Sequence, residues 1–219
     1  MILNIRKLIK KRSINKKYKS MKPIYLLLIT ISFFTCSQKE NNTVVEKTFE
    51  EKISYAAISI IYSSIQYDPT YFSIKYPNGD VPKNKGVCTD VVIRTYRKLN
   101  IDLQKEVHED MKANFSKYPK IWKLKKTDTN IDHRRVPNLE VFFERKGTKL
   151  TISKTASDYK TGEIVTWMIG NKLPHIGIVT NKKSSDGKRP MLVHNVGGGQ
   201  VLEDCLFNYK IVGHFKFGK

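Results

Sequence analysis

Cysteine is scarce in this 219-residue chain: Cys36, Cys88 and Cys205 are the only three. That is too few to staple a fold, so a hydrophobic core must hold it, and the length suffices for one domain with a tail. Long apolar runs are lacking as well. The run Ile24 to Thr35 (IYLLLITISFFT) has 12 residues, short of the roughly 20 that a membrane-spanning helix needs. No HExxH, paired CxxC or His-x-His spacing occurs, so nothing selects a metal site and no cofactor is expected. Gly197-Gly198-Gly199 is followed by neither a helical pattern nor a lysine, which excludes a phosphate-cradling loop. Repeats and low-complexity segments are missing too. Disorder is excluded from the other side, since 40% of the residues are hydrophobic and 11% aromatic.

What the chain has in excess is positive charge: 40 Lys and Arg against 20 Asp and Glu, a net +20. Such a value first suggests nucleic acid, but its distribution argues otherwise. Nine basic residues and no acid fall within residues 1–22. The apolar run follows, then Cys36, then polar SQKENN. Basic segment, short apolar core and processing site in that order describe an export signal. Phe33-Phe34-Thr35-Cys36 resembles a loose lipobox, in which the cysteine is lipidated and becomes the mature N-terminus; Phe34 and Thr35 depart from the small residues preferred there. Met21 can equally be the start, since MKPIYLLLITISFFTC is a complete signal. The expected organisation is therefore an export signal over 1–36, a polar tether over 37–50 and one domain over 51–219, with a lipid on Cys36 holding the chain in a bacterial envelope. The 31 basic and 20 acidic residues that remain leave +11, with six lysines and no acid from Lys112 to Lys126. That charge suits an anionic wall or lipid surface. Nucleic acid is the least favoured partner, and a monomer is the default.

Periodicity divides the domain. Ile53, Ala56, Ala57, Ile60, Ile61 and Ser64 follow a helical stripe. Residues 71–86, with Pro77-Asn78-Gly79-Asp80 and Pro82, read as turn and loop. A second helix is predicted from Cys88 to Leu99, a third capped by Asp102 with Leu103, Val107, Met111 and Phe115 inward, and a fourth over 138–146 with Pro137 in its first turn and Gly147 as its stop. The period then changes to two. Ile164–Met168, Ile176–Thr180, Met191–His194 and Ile211–Phe217 read as strands. Helices first and strands second predict an α+β domain with an antiparallel sheet.

Cys88 is the leading chemical candidate because it opens a predicted helix. Free backbone N–H groups and positive potential there lower a thiol pKa and can stabilise an oxyanion. Asp90 is expected to cap or orient the nearby backbone. The alternative is a structural disulfide between Cys88 and Cys205 in an oxidising compartment. A nucleophilic cysteine needs a base. His175 shares a strand face with Gly177 and Val179, and His194, on the next strand, can lie within its reach and fix its tautomer. His108 reads as solvated helix surface and His214 as structural. The carboxylates Asp110, Asp128, Asp132 and Glu163 could serve a glycosidase, but no spacing selects a pair.

Five blocks, Gly86–Val92 (GVCTDVV), Glu109–Phe115 (EDMKANF), Thr129–Leu139 (TNIDHRRVPNL), Pro174–Val179 (PHIGIV) and Val193–Asn195 (VHN), resemble the YijF-like bacterial family, catalogued as a domain of unknown function, over roughly residues 50–217. That family is in turn similar to the NlpC-like cysteine peptidases and CHAP-type amidases of cell-wall metabolism, which have a papain-like α+β fold. Gly162-Glu163-Ile164-Val165 and His175-Ile176-Gly177-Ile178 stand where those enzymes carry their strand motifs. The resemblance implies Cys88 as nucleophile, His175 as base and His194, or else Asn195, as the group orienting it. Tyr76 would be an added oxyanion donor. Arg134 and Arg135 would clamp a substrate carboxylate, with Trp122 on the basic stretch contributing to binding. The implied activity is amide hydrolysis in peptidoglycan, either in stem peptides or at the amide joining peptide to glycan. A non-catalytic lipoprotein binding wall or a partner on the same fold, and a cysteine hydrolase of another amide or ester, are the alternatives.

Overall fold

A computed structural model describes residues 46–218; the expected export signal, the expected lipid site Cys36 and the expected tether up to residue 45 lie outside the described residues. Helix α1 (Phe49–Ser59) begins at a reciprocal cap, in which Glu51 N–H donates to Thr48 Oγ1 at 3.2 Å and Thr48 N–H donates to Glu51 Oε2 at 2.9 Å. The helix therefore starts inside the stretch read as tether and ends before Ser64, so the predicted stripe is shifted about one turn toward the N-terminus. A long loop follows, pinned by two short parallel strands, β1 (Gln66–Tyr67) and β2 (Lys85–Gly86).

Helix α2 (Cys88–Arg97) starts directly after β2. Helix α3 (Leu103–Ala113) is capped by Asp102, whose carboxylate accepts from Gln104 N–H at 3.1 Å. Helix α4 (Val136–Lys146) carries proline in its first turn and ends at Gly147. Six strands follow: β3 (Thr148–Lys149), β4 (Ile164–Ile169), β5 (Leu173–Lys183), β6 (Pro190–His194), β7 (Val201–Glu203) and β8 (Lys210–Lys216). Their spatial order is β3-β8-β4-β5-β6-β7, and every neighbouring pair is antiparallel. The domain is thus α+β with its helices ahead of an antiparallel sheet, as the change of period implies. The two-residue β3 and the three-residue β7 were not expected.

Side chains alternate across the sheet and build two cores. Ile164, Ile176, Ile178, Val193 and Phe215 face the helices, where they pack with Val91, Val92, Tyr96 and Phe143. Val165, Trp167, Val179 and Leu192 face the other way, against Tyr159, Cys205 and Leu206. Each large apolar side chain buried in this way contributes about 1.5–3 kcal/mol. Among the described residues no helix is long and apolar enough to cross a membrane.

One irregularity in this sheet shapes the site. β5 is paired with β4 from Leu173 onward, but its ladder with β6 starts only at Ile178↔Val193. Val179 N–H bonds on the β4 side, to Glu163 O at 2.8 Å. By alternation, Ile176 N–H points to the β6 side, where no partner strand meets it.

Candidate active site

Cys88, the first residue of α2, packs against β5 beside Ile176. The backbone N–H groups of Ile176, Thr89 and Cys88 itself favour its thiolate. Cys88 thus lies with Ile176 on the helix face of the sheet, whereas His175, the preceding residue of β5, stacks on Trp167 on the other face. Burial nevertheless dominates its titration. It pushes the thiol up to about 12; the Ile176 N–H opposes the shift and the Asp90 carboxylate adds to it. The expectation of a thiol depressed by a helix N-terminus is corrected here: Cys88 is buried, and desolvation of a thiolate outweighs the neighbouring N–H groups.

Asp90 does the capping assigned to it. Its Oδ2 accepts from Val87 N–H at 2.7 Å, closing the turn that delivers Cys88. Arg134 then holds Asp90, donating from Nε at 3.1 Å and from Nη2 at 3.1 Å, and it donates also to the carbonyls of Thr70 at 3.0 Å and Asp68 at 3.2 Å. The side chains of this pair are 1% and 3% exposed. Arg134 is consequently spent on the protein itself. Both arginines line the cleft, but Asp90 and two carbonyls occupy the donors of Arg134, which leaves Arg135 as the member of the expected clamp with a free nitrogen.

His175 and His194 are brought together. His175 Nε2 and His194 Nδ1 lie 2.9 Å apart, both rings buried, with Trp167 stacked on His175 at 5.5 Å between centroids. Trp167 is itself fixed by its Nε1–H bond to Leu206 O at 2.9 Å. Gly177 makes the approach possible: a Cβ there would stand 3.1 Å from Val193 O and 3.2 Å from both His194 Cβ and Trp167. Burial, reinforced by His194, pushes His175 down to about 3, and burial lowers His194 against the pull of Glu203, so both rings are neutral near pH 7. Asn195 does not orient His175. Its Nδ2 donates to Gly86 O at 3.4 Å and its Oδ1 accepts from Gly197 N–H at 3.0 Å, so it braces the strand before Cys88.

A cleft of about 340 Å³ opens over Cys88, walled by Tyr67, Trp122, Arg135, Val136 and Leu173. The Arg135 guanidinium lies 4.2 Å from the Trp122 ring centroid, and its Nη1 is buried without a hydrogen-bond partner. Tyr76 is not part of this wall. Its ring packs edge-on against His108, 5.2 Å away, and His108 in turn lies 3.7 Å from Asp132 rather than in open solvent. Tyr67 is the tyrosine that stands at the cleft. Its hydroxyl is raised by burial and then by Cys88 and Asp90, so it stays a phenol and a donor at neutral pH. Its place at the cleft comes from the short β1–β2 pairing, which periodicity does not announce.

Cys205 is buried on the opposite face of the sheet from Cys88, and both thiols are free, so the alternative disulfide is not formed. His214 is structural, as expected. Its Nε2 lies 2.7 Å from Glu163 Oε2 and its Nδ1 3.0 Å from Thr151 O. Of the carboxylates considered for glycoside cleavage, Glu163 is held by His214 and Asp110 by Arg145 and Tyr118.

Fold and site together define an antiparallel α+β domain in which a helix-N-terminal cysteine packs on a sheet that carries a pair of hydrogen-bonded strand histidines. The family described as "Domain of unknown function (DUF1287)" matches residues 54–217, and the chain belongs to that family. It is also 45% identical over 203 residues to the "Uncharacterized protein YijF" of Escherichia coli (strain K12), a match covering 90% of this chain and 98% of that protein.

Proposed function

We propose that the protein is an exported cysteine hydrolase that cleaves amide bonds of peptidoglycan on a papain-like, NlpC-like fold. One observation supports the reading above the others: Cys88 opens helix α2 where it packs on β5, the strand that supplies His175, and a cleft lies over it. In the mechanism, the Cys88 sulfur attacks the amide carbonyl and His175 Nδ1 takes its proton; the two side chains start on opposite faces of β5, so the His175 ring must reach the thiol round the open end of the strand where β6 diverges. The first-turn N–H groups of α2, together with the Tyr67 hydroxyl in the role first given to Tyr76, stabilise the oxyanion. The imidazolium then gives its proton to the leaving amine, and water cleaves the thioester and restores the thiol. A thiol near 12 beside a histidine near 3 describes a neutral pair, so proton transfer accompanies attack instead of preceding it. Arg135 with its unpartnered Nη1, backed by Trp122, is the group for a substrate carboxylate. The sequence of residues 1–36 supports export and a lipid on Cys36, which would keep a monomeric domain beside the anionic wall.

The closed, protonated thiol is what a non-catalytic wall-binding lipoprotein would also have, and one experiment separates the two. Purified sacculi or muropeptides incubated with the protein should yield new amine termini, and Cys88→Ala should abolish them while the circular dichroism spectrum is kept. Cleavage undiminished in Cys88→Ala would refute the assignment; retention on sacculi without cleavage by the wild type would establish the binding reading.

A further inference from the structure

The chain of contacts does not stop at His194. Glu203, on the edge strand β7, places Oε2 3.1 Å from His194 Nε2. β7 pairs with β6 in the register His194↔Val201, Val193↔Leu202 and Leu192↔Glu203. The glutamate side chain is 50% exposed, whereas the histidine it meets is 0% exposed. A half-exposed carboxylate therefore reaches the buried imidazole from the rim of the sheet.

We propose that Glu203 is the positioning residue that sets the tautomers of both histidines and thereby leaves the Nδ1 lone pair of His175 bare. The steps are forced by what each atom can do. A carboxylate has only acceptor oxygens, so His194 must carry its proton on Nε2. His194 is neutral, so its Nδ1 is an acceptor. The 2.9 Å contact then requires the proton on His175 Nε2. His175 is neutral as well, so its Nδ1 carries none. Among the described residues that nitrogen makes no other hydrogen bond, which leaves it free to take a proton. Without Glu203 the order can reverse. A proton on His194 Nδ1 would donate to His175 Nε2 and move the His175 proton to Nδ1, and a nitrogen already protonated cannot act as base. Trp167 fixes the plane of the His175 ring but donates nothing to it, so it cannot select a tautomer. What the bare nitrogen does rests on the hydrolase reading; which nitrogen is bare does not.

Long-range proton–nitrogen correlation spectra of the ¹⁵N-labelled full chain in detergent, at neutral pH, read both rings directly. The wild type should show His175 and His194 each as a single Nε2–H tautomer. Glu203→Leu, which removes the acceptor at a half-exposed position, should show exchange between tautomers in both rings. Glu203→Gln, which keeps an acceptor oxygen, should restore the wild-type pattern. In a muropeptide assay Glu203→Leu should lower kcat by about tenfold or more with KM little changed, with recovery in Glu203→Gln. An Nδ1–H tautomer at His194 in the wild type overturns the proposal, whatever the variants do. So does a Glu203→Leu spectrum identical to wild type. A chain that cleaves nothing but shows both Nε2–H tautomers overturns the hydrolase reading and upholds the tautomer control by Glu203.

Discussion

Replacing Arg134 by methionine separates a structural arginine from a substrate clamp. The guanidinium is buried and donates to both Asp90 oxygens and to the carbonyls of Asp68 and Thr70. Methionine fills much of the same space but removes every donor. Asp90 would then keep a buried negative charge with only Val87 N–H to satisfy it, and two loop carbonyls would lose their partner. Removing one member of a buried ion pair costs about 3–5 kcal/mol. At about 2–4 °C per kcal/mol for a domain of this size, Tm should fall by about 6–20 °C. The comparison is Arg135→Met, which loses a cation–π contact worth about 0.5–1 kcal/mol and a nitrogen that has no partner, so its cost should stay below about 1 kcal/mol. Urea titration followed by the fluorescence of buried Trp167 measures both variants, and adding Asp90→Leu to Arg134→Met closes a double-mutant cycle. The double variant should be more stable than Arg134→Met alone, because it removes the orphaned charge. If Arg134→Met stays within about 1 kcal/mol of wild type, the buttress assignment fails and the clamp returns.

Three further outcomes are expected. Because burial pushes Cys88 up to about 12, iodoacetamide should alkylate it at pH 7.5 at least about tenfold more slowly than free cysteine, with the rate rising through pH 9; fast labelling at pH 7 by intact-mass analysis would contradict the enclosed thiol. Gly177→Ala should cost about 1–3 kcal/mol by crowding Val193 O, His194 and Trp167, and should shift the His194 ring resonances; an unchanged stability and spectrum would mean that the close approach is not real. His214 is raised in the folded state: burial lowers it, but its bonds to Glu163 and Thr151 prevail. A raised histidine stabilises fully below its unfolded pKa near 6.5 and loses that contribution as pH rises through the folded value. The stability advantage of wild type over His214→Gln should therefore shrink from pH 6 to pH 9, and two parallel pH–stability curves would refute the ion pair with Glu163.

How far the sequence could be read depended on the range of each interaction. Helices α2 to α4 were legible because their signals are local: Asp102 at a cap, Pro137 in a first turn, Gly147 at a stop. The start of α1 was missed although Thr48 and Glu51 have capping-box spacing, because the apolar stripe further on drew the boundary with it. Strand β7 escaped because three residues behind three glycines show no period, and Glu203 escaped with it. Cys88, His175 and His194 were visible through their neighbours, a helix start and a small residue at Gly177. Arg134 and Arg135 look alike in the chain. Only the fold separates them, since Asp90 lies 44 residues away and the loop carbonyls of Asp68 and Thr70 further still.

The narrowness of β7 has a thermal consequence. A three-residue strand at the rim, joined to the sheet by a single ladder, belongs to the part of a fold that opens first. β5, in the interior of the sheet with β4 on one side and β6 on the other, opens last. On warming, the carboxylate would leave before the sheet loosens, and the imidazoles would lose their fixed proton order inside a molecule that still has its full secondary structure. Loss of the fixed proton order in such a protein precedes melting, and the interval between the two temperatures measures how weakly the last strand is held.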